Sequence, residues 1–127
     1  MKTKIVDETF DEKSGLTTVT LQNKYGHFTG IARCHPDDEY SMFQGERIAA
    51  TRANIKFCKH RITQEKAKIK VLDELETPFF NKTLYNKIKE CQETIEKYQD
   101  SITILKNSIK LMDEERQKVL QRSKKNK

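Results

Sequence analysis

From Leu84 to Val119 the chain repeats an apolar stripe at alternating intervals of four and three residues. Leu84, Ile88, Cys91, Ile95, Tyr98, Ile102, Leu105, Ile109, Met112, Arg116 and Val119 occupy it, and only Arg116 interrupts its apolar character. A stripe this narrow is the seam of a coiled-coil-like helix. About 38 residues at a rise of ~1.5 Å make a rod of roughly 57 Å. A compact domain of 127 residues has a radius of gyration of only about 14 Å. Such a helix cannot be wrapped by a globule and needs another helix along its seam.

A partner lies upstream. Ile48, Ile55, Ile62 and Ile69 recur every seven residues, with Thr51, Cys58 and Leu72 at interleaved positions. Thr77-Pro78 closes this stretch, because the residue before proline is pushed out of the helical region. The spacing predicts a first helix over 46–76 and a second over 82–122, packed as an antiparallel hairpin. At about 45 Å the first is too short to cover the whole second, so part of the seam is expected to meet another chain. Composition agrees: hydrophobic residues make up 35% of the chain and only four glycines could be added, below the usual 45–50% or so with glycine counted. A second copy would complete the thin core.

Residues 2–34 have the other period. Ile5, Val6 and Phe10 lie in a first run, Leu16–Gln22 is β-branched, and His27–Cys34 forms a third run. Asp11–Gly15 and Asn23–Gly26 are turn clusters. Thr17, Val19 and Leu21 share one face, with Thr18 and Thr20 on the other. A three-stranded antiparallel meander is expected, then a loop over 35–45 closed by Gly45. The fold class is α+β, one domain over 1–127, with 123–127 as a frayed basic tail.

No run of about 18 apolar residues exists to cross a bilayer, and the first ten residues lack a signal-peptide core. The chain is therefore expected to stay in the cytoplasm. Cys34, Cys58 and Cys91 are widely spaced and read as reduced, buried small hydrophobes. GxGxxG, GxxxxGK[ST], HExxH and GxSxG are absent. Cys34 and His35 are adjacent, so on a strand they point to opposite faces. His35, Asp37 and Asp38 read more simply as a turn than as metal ligands. No catalysis, metal or cofactor is expected.

The charge is uneven. Between Arg47 and Lys70, eight positive residues face Glu65 alone, and Arg122–Lys127 is a second basic stretch. Arg47, Arg52, Lys56, Lys59 and Arg61 lie on the first helix, and Arg52, Lys56 and Lys59 share one face. Arginine's planar fork suits phosphate oxygens. Aromatic side chains accompany this charge: Phe28, Tyr25, Phe43, Phe79, Phe80 and Tyr85. Each taken singly is most simply core. Phe79-Phe80 is unusual for a connection between helices, and one ring there could stack on a base. The ligand-binding candidates are Arg52, Phe80, Phe28, Arg47, Lys56 and Phe79.

Gly15–Thr20, Gly26-His27-Phe28-Thr29-Gly30, Ala32-Arg33-Cys34 and Ala49 through Arg52-Ala53 together resemble the phage-encoded anti-Thoeris sponge proteins, the first described class of Thoeris anti-defence proteins. The resemblance covers the first half of the chain; beyond it only the helical character matches. It implies a protein that binds cyclic ADP-ribose isomers and withholds them, uncleaved, in the cytoplasm of an infected bacterial host. It also implies a homodimer that can assemble further, with pockets at the subunit interface. Arg52 falls on a motif of the family; pocket positions in the C-terminal half cannot be aligned.

Two other functions fit parts of the pattern. A nucleic-acid-binding phage protein would use the basic helix and tail, but the acidic N-terminal third argues against a broad basic face. A coiled-coil assembly or adaptor protein would need only the seam, with Arg52 silent.

Overall fold

The structure, a computed structural model, describes residues 2–11, 13–33, 39–75 and 82–125. Three strands, β1 (Lys4–Asp11), β2 (Leu16–Asn23) and β3 (Gly26–Arg33), are followed by two helices, α1 (Glu39–Glu74) and α2 (Lys82–Lys125). The fold is α+β, an antiparallel meander in the order β1-β2-β3 and a helical hairpin, as the two sequence periods require.

Both hairpin turns depend on glycine. Gly15 has φ +71° and Gly26 φ +130°, where a side chain is strained. At the second turn Asn23 Oδ1 accepts from the Tyr25 backbone N–H at 2.8 Å. These turns set a register in which Val19 faces Gly30 and Thr20 faces Thr29. Thr17, Val19 and Leu21 are buried on the helix side. On the far face the Thr20 and Thr29 hydroxyls lie 3.0 Å apart.

Helix α1 lies across β2 and β3. Ala49 and Ala53, both fully buried, come so close that a Cβ at Gly30 would collide with the Ala49 carbonyl oxygen. Further along, Phe28 meets Phe57 edge-on, with centroids 5.3 Å apart, and Phe57 meets Tyr98 of α2 at 5.8 Å. All eight residues of β1 are exposed. That strand carries a bulge between Ile5 and Asp7, a common device at sheet edges.

From Cys91 to Met112 the predicted seam of α2 faces α1: Cys91, Ile95 and Met112 are buried and the seam residues Tyr98, Ile102, Leu105 and Ile109 partly so. At about 1.5 Å per residue, the 36 residues of α1 span about 54 Å and the 44 of α2 about 66 Å. The longer helix therefore overhangs.

Two boundaries differ from expectation. The first helix starts at Glu39, so residues 39–45 are helical rather than a loop; residues 34–38 and the Thr77-Pro78 stop lie outside the described residues. Gly45, a loop closer by its sequence context, is buried inside α1. The adjacent Gln44 is buried and donates to the Met112 carbonyl of α2 at 3.2 Å. Packing against α2 overrides the weak helix preference of one glycine. At the other end, α2 includes residues 123–125, part of the expected tail; Lys124 and Lys125 are good helix formers.

Candidate anion-binding cleft

Residues of β3, α1 and α2 together line a cleft of about 330 Å³. The sheet contributes Ala32 and Arg33, α1 contributes Gln44, Gly45, Ile48 and Arg52, and α2 contributes Lys106, Ile109, Lys110 and Asp113. Its character follows from two periodicities. Ile48 and Ile109 belong to the two helical seams, so residues on the flanks of those seams are brought to the mouth. Arg52 comes four residues after Ile48, and Lys106 and Lys110 bracket Ile109. The result is a partly apolar wall carrying four cations against one carboxylate.

Arg52 is held in place. Its Nη1 donates to the Ile31 carbonyl of β3 at 2.7 Å. Arginine carries five N–H donors, so this tether orients the fork and leaves donors for an anion. The ion pairs found among the described residues, Arg61–Glu65 and Lys68–Glu65, lie further along the hairpin, away from the cleft. A phosphate group is the chemistry such a cleft accepts: several donors, little negative charge, and a volume at the small end of ligand pockets, which run about 300–1,000 Å³.

Of the residues named from sequence, the cleft contains Arg52. Arg47 and Lys56 are exposed on α1 outside its lining. Phe28 is buried in the core, its ring against Phe57 and 5.4 Å from His60, and so not open to a ligand. Phe79 and Phe80 lie outside the described residues, as do Cys34, His35, Asp37 and Asp38. Arg33, which the sequence offers only within the Ala32-Arg33-Cys34 match, and Lys106 and Lys110 also line the cleft and are not among those candidates. Lys106 and Lys110 share a helix face by their i, i+4 spacing, but nothing local places that face beside Arg52.

Arg61 turns inward instead. Its Nη2 donates to Glu65 Oε1 at 2.9 Å and its Nη1 to Gln64 Oε1 at 2.8 Å, while the guanidinium lies 4.1 Å from the Tyr25 ring centroid. Burial pushes the Glu65 carboxyl upward, but hydrogen bonds from Cys91, Lys68 and Arg61 outweigh it and hold the carboxyl below its ordinary value. Cys58 and Cys91 are buried free thiols; burial raises both, and the Glu65 carboxylate raises Cys91 further. Thiols so placed are protonated and unreactive near neutrality.

Two other hollows have different chemistry. A groove of about 530 Å³ between the outer halves of the helices is walled by Ala67, Val71, Leu72 and the stem of Lys87. Beside the edge strand, Glu8 faces Glu46 near Phe10; the hydrogen bond between the two carboxyls, with some burial and their repulsion, holds Glu8 above its ordinary value. Neither offers cations in the cleft's arrangement. No helix among the described residues is long and apolar enough to cross a membrane. A scan of protein-family models and searches of curated proteins and solved structures return no match to this chain.

Proposed function

We propose that this protein is a sponge: it binds a cyclic ADP-ribose-type nucleotide signal through its phosphates and withholds it without cleaving it. The observation that carries the reading is the convergence of Arg33, Arg52, Lys106 and Lys110 on one cleft with an apolar wall. The resemblance of residues 15–53 to the anti-Thoeris sponges supplies the ligand class. A sponge must hold its signal at nanomolar levels, about −12 kcal/mol. A ligand of roughly 35 non-hydrogen atoms at about −0.3 kcal/mol each reaches around −10.5 kcal/mol, so a rigid and well-buried pocket is required.

At about 330 Å³ the cleft of one chain encloses only part of such a ligand. A second copy would supply further walls, and Phe79 or Phe80 a ring for the base. Exposed Ile104 and Leu111, one heptad apart on α2, are apolar surface that a second copy would cover. The host cytoplasm is the compartment this function requires.

The test is calorimetric titration with glycocyclic ADP-ribose, followed by chromatography of the released ligand. Tight binding with intact ligand is expected, and Arg52→Ala abolishes it while the oligomer persists. Absence of heat at micromolar concentrations would discard the sponge reading; unchanged affinity in Arg52→Ala would remove Arg52 from the site.

A further inference from the structure

The cations of the cleft can hold any phosphate; one neutral group in it is arranged to do more. Gln44 is part of the lining although only 3% of it is exposed, which places it at the floor. Its Nε2 donates to the Met112 carbonyl oxygen at 3.2 Å. A carbonyl only accepts, so the amide nitrogen must face Met112 and the amide oxygen must turn away. That oxygen is buried and has no hydrogen-bond partner among the described residues. Buried amide oxygens are nearly always paired, so an orphan at the floor of a cleft marks where a donor belongs.

We infer that Gln44 is the specificity residue of the cleft, its Oε1 accepting a hydrogen bond from a hydroxyl or amino group on the phosphate-bearing ligand. The inference rests on the phosphate-binding reading above and deepens it. Arg33, Arg52, Lys106 and Lys110 are pure donors; they match phosphate oxygens and cannot recognise a hydroxyl by accepting from it. Asp113 is an acceptor too, but it is exposed and charged, and it repels the same phosphates. Gln44 is neutral, buried and fixed by Met112. A site built to bond a ligand hydroxyl discriminates strongly against an analogue that lacks it, because the polar group of the protein is then left unpaired. The ligand class that follows is a ribosyl or nucleoside phosphate rather than a bare inorganic anion.

The experiment is titration calorimetry of the full chain and of Gln44→Met with two probes, ADP-ribose and inorganic pyrophosphate. Wild type is expected to bind ADP-ribose more tightly than pyrophosphate. Gln44→Met should weaken ADP-ribose by about tenfold and leave pyrophosphate within about twofold, the size of one lost hydrogen bond. Retained pyrophosphate binding also reports that the variant is folded. Equal weakening of both probes, or of neither, would make Gln44 a structural tie to Met112, or the seat of a buried water, and overturn the inference while the anion cleft stands. If neither probe binds wild type, the phosphate reading falls and this inference with it. Gln44→Glu provides a second reading: a carboxylate at the floor should weaken both probes by repulsion, and unchanged pyrophosphate affinity would show that residue 44 does not face the ligand.

Discussion

Arg61 and Glu65, one helical turn apart on α1, form an ion pair of 2.9 Å with both side chains less than a tenth exposed. Glu65 occupies the hairpin seam, at the position between Cys58 and Leu72 where the repeat calls for an apolar residue. Removing one member of a buried pair leaves the other charge uncompensated, which costs about 3–5 kcal/mol. Glu65→Ala is therefore expected to lower unfolding stability by that amount in urea. The joint replacement Arg61→Met with Glu65→Leu should recover most of it. A joint variant no more stable than Glu65→Ala would contradict this account. The pH dependence has a definite sign. The folded Glu65 carboxyl lies below its ordinary value of 4.5, so its contribution is complete above that value and is lost as pH falls through the depressed folded value. Stability of Glu65→Gln should accordingly fall less than that of wild type as the solution is acidified below pH 4.5.

Gly30 is constrained by a neighbour rather than by its own backbone angle. A methyl group there meets the Ala49 carbonyl, which is main chain and cannot swing aside. Gly30→Ala should push α1 away from the sheet and cost about 1–3 kcal/mol or more, as overpacked cores do. Thermal melting reads the effect. An unchanged midpoint would mean that α1 sits further from β3 than described.

Phe28 belongs to the ring stack that joins β3 to α1, so its loss should be felt in stability. Phe28→Ala is expected to cost about 3–5 kcal/mol. Phe28→Leu should retain most of the stability and all of the affinity of the cleft. A variant of normal stability that has lost ligand affinity would instead make Phe28 a contact residue.

How much was legible beforehand varies by element. The heptads of Ile48–Ile69 and of Leu84–Met112 were plain because a helical face repeats locally, and the alternation of Thr17, Val19 and Leu21 was plain for the same reason. The start of α1 was not. Gly45 looked like a stop, and only the bond from Gln44 to Met112, 68 residues away, shows why the helix continues. Within the candidate site Arg52 could be picked out by its charge and spacing. Lys106 and Lys110 could not, because they lie in a stretch of mixed charge that reads as a solvated face.

The sequence by itself determined which residues share a face, since periods of two and of three to four residues are properties of the local backbone. It also determined where the hairpin turns fall, because Gly15 and Gly26 take angles that other residues resist. Tertiary structure decided which faces meet. The antiparallel setting of the helices puts Gln44 opposite Met112 and Glu65 beside Cys91, and that setting carries Lys106 and Lys110 to Arg52. It also turns Arg61 and Phe28 inward while Arg52 stays at the surface. Such choices depend on complementary packing between segments far apart in the chain, and no local period encodes them.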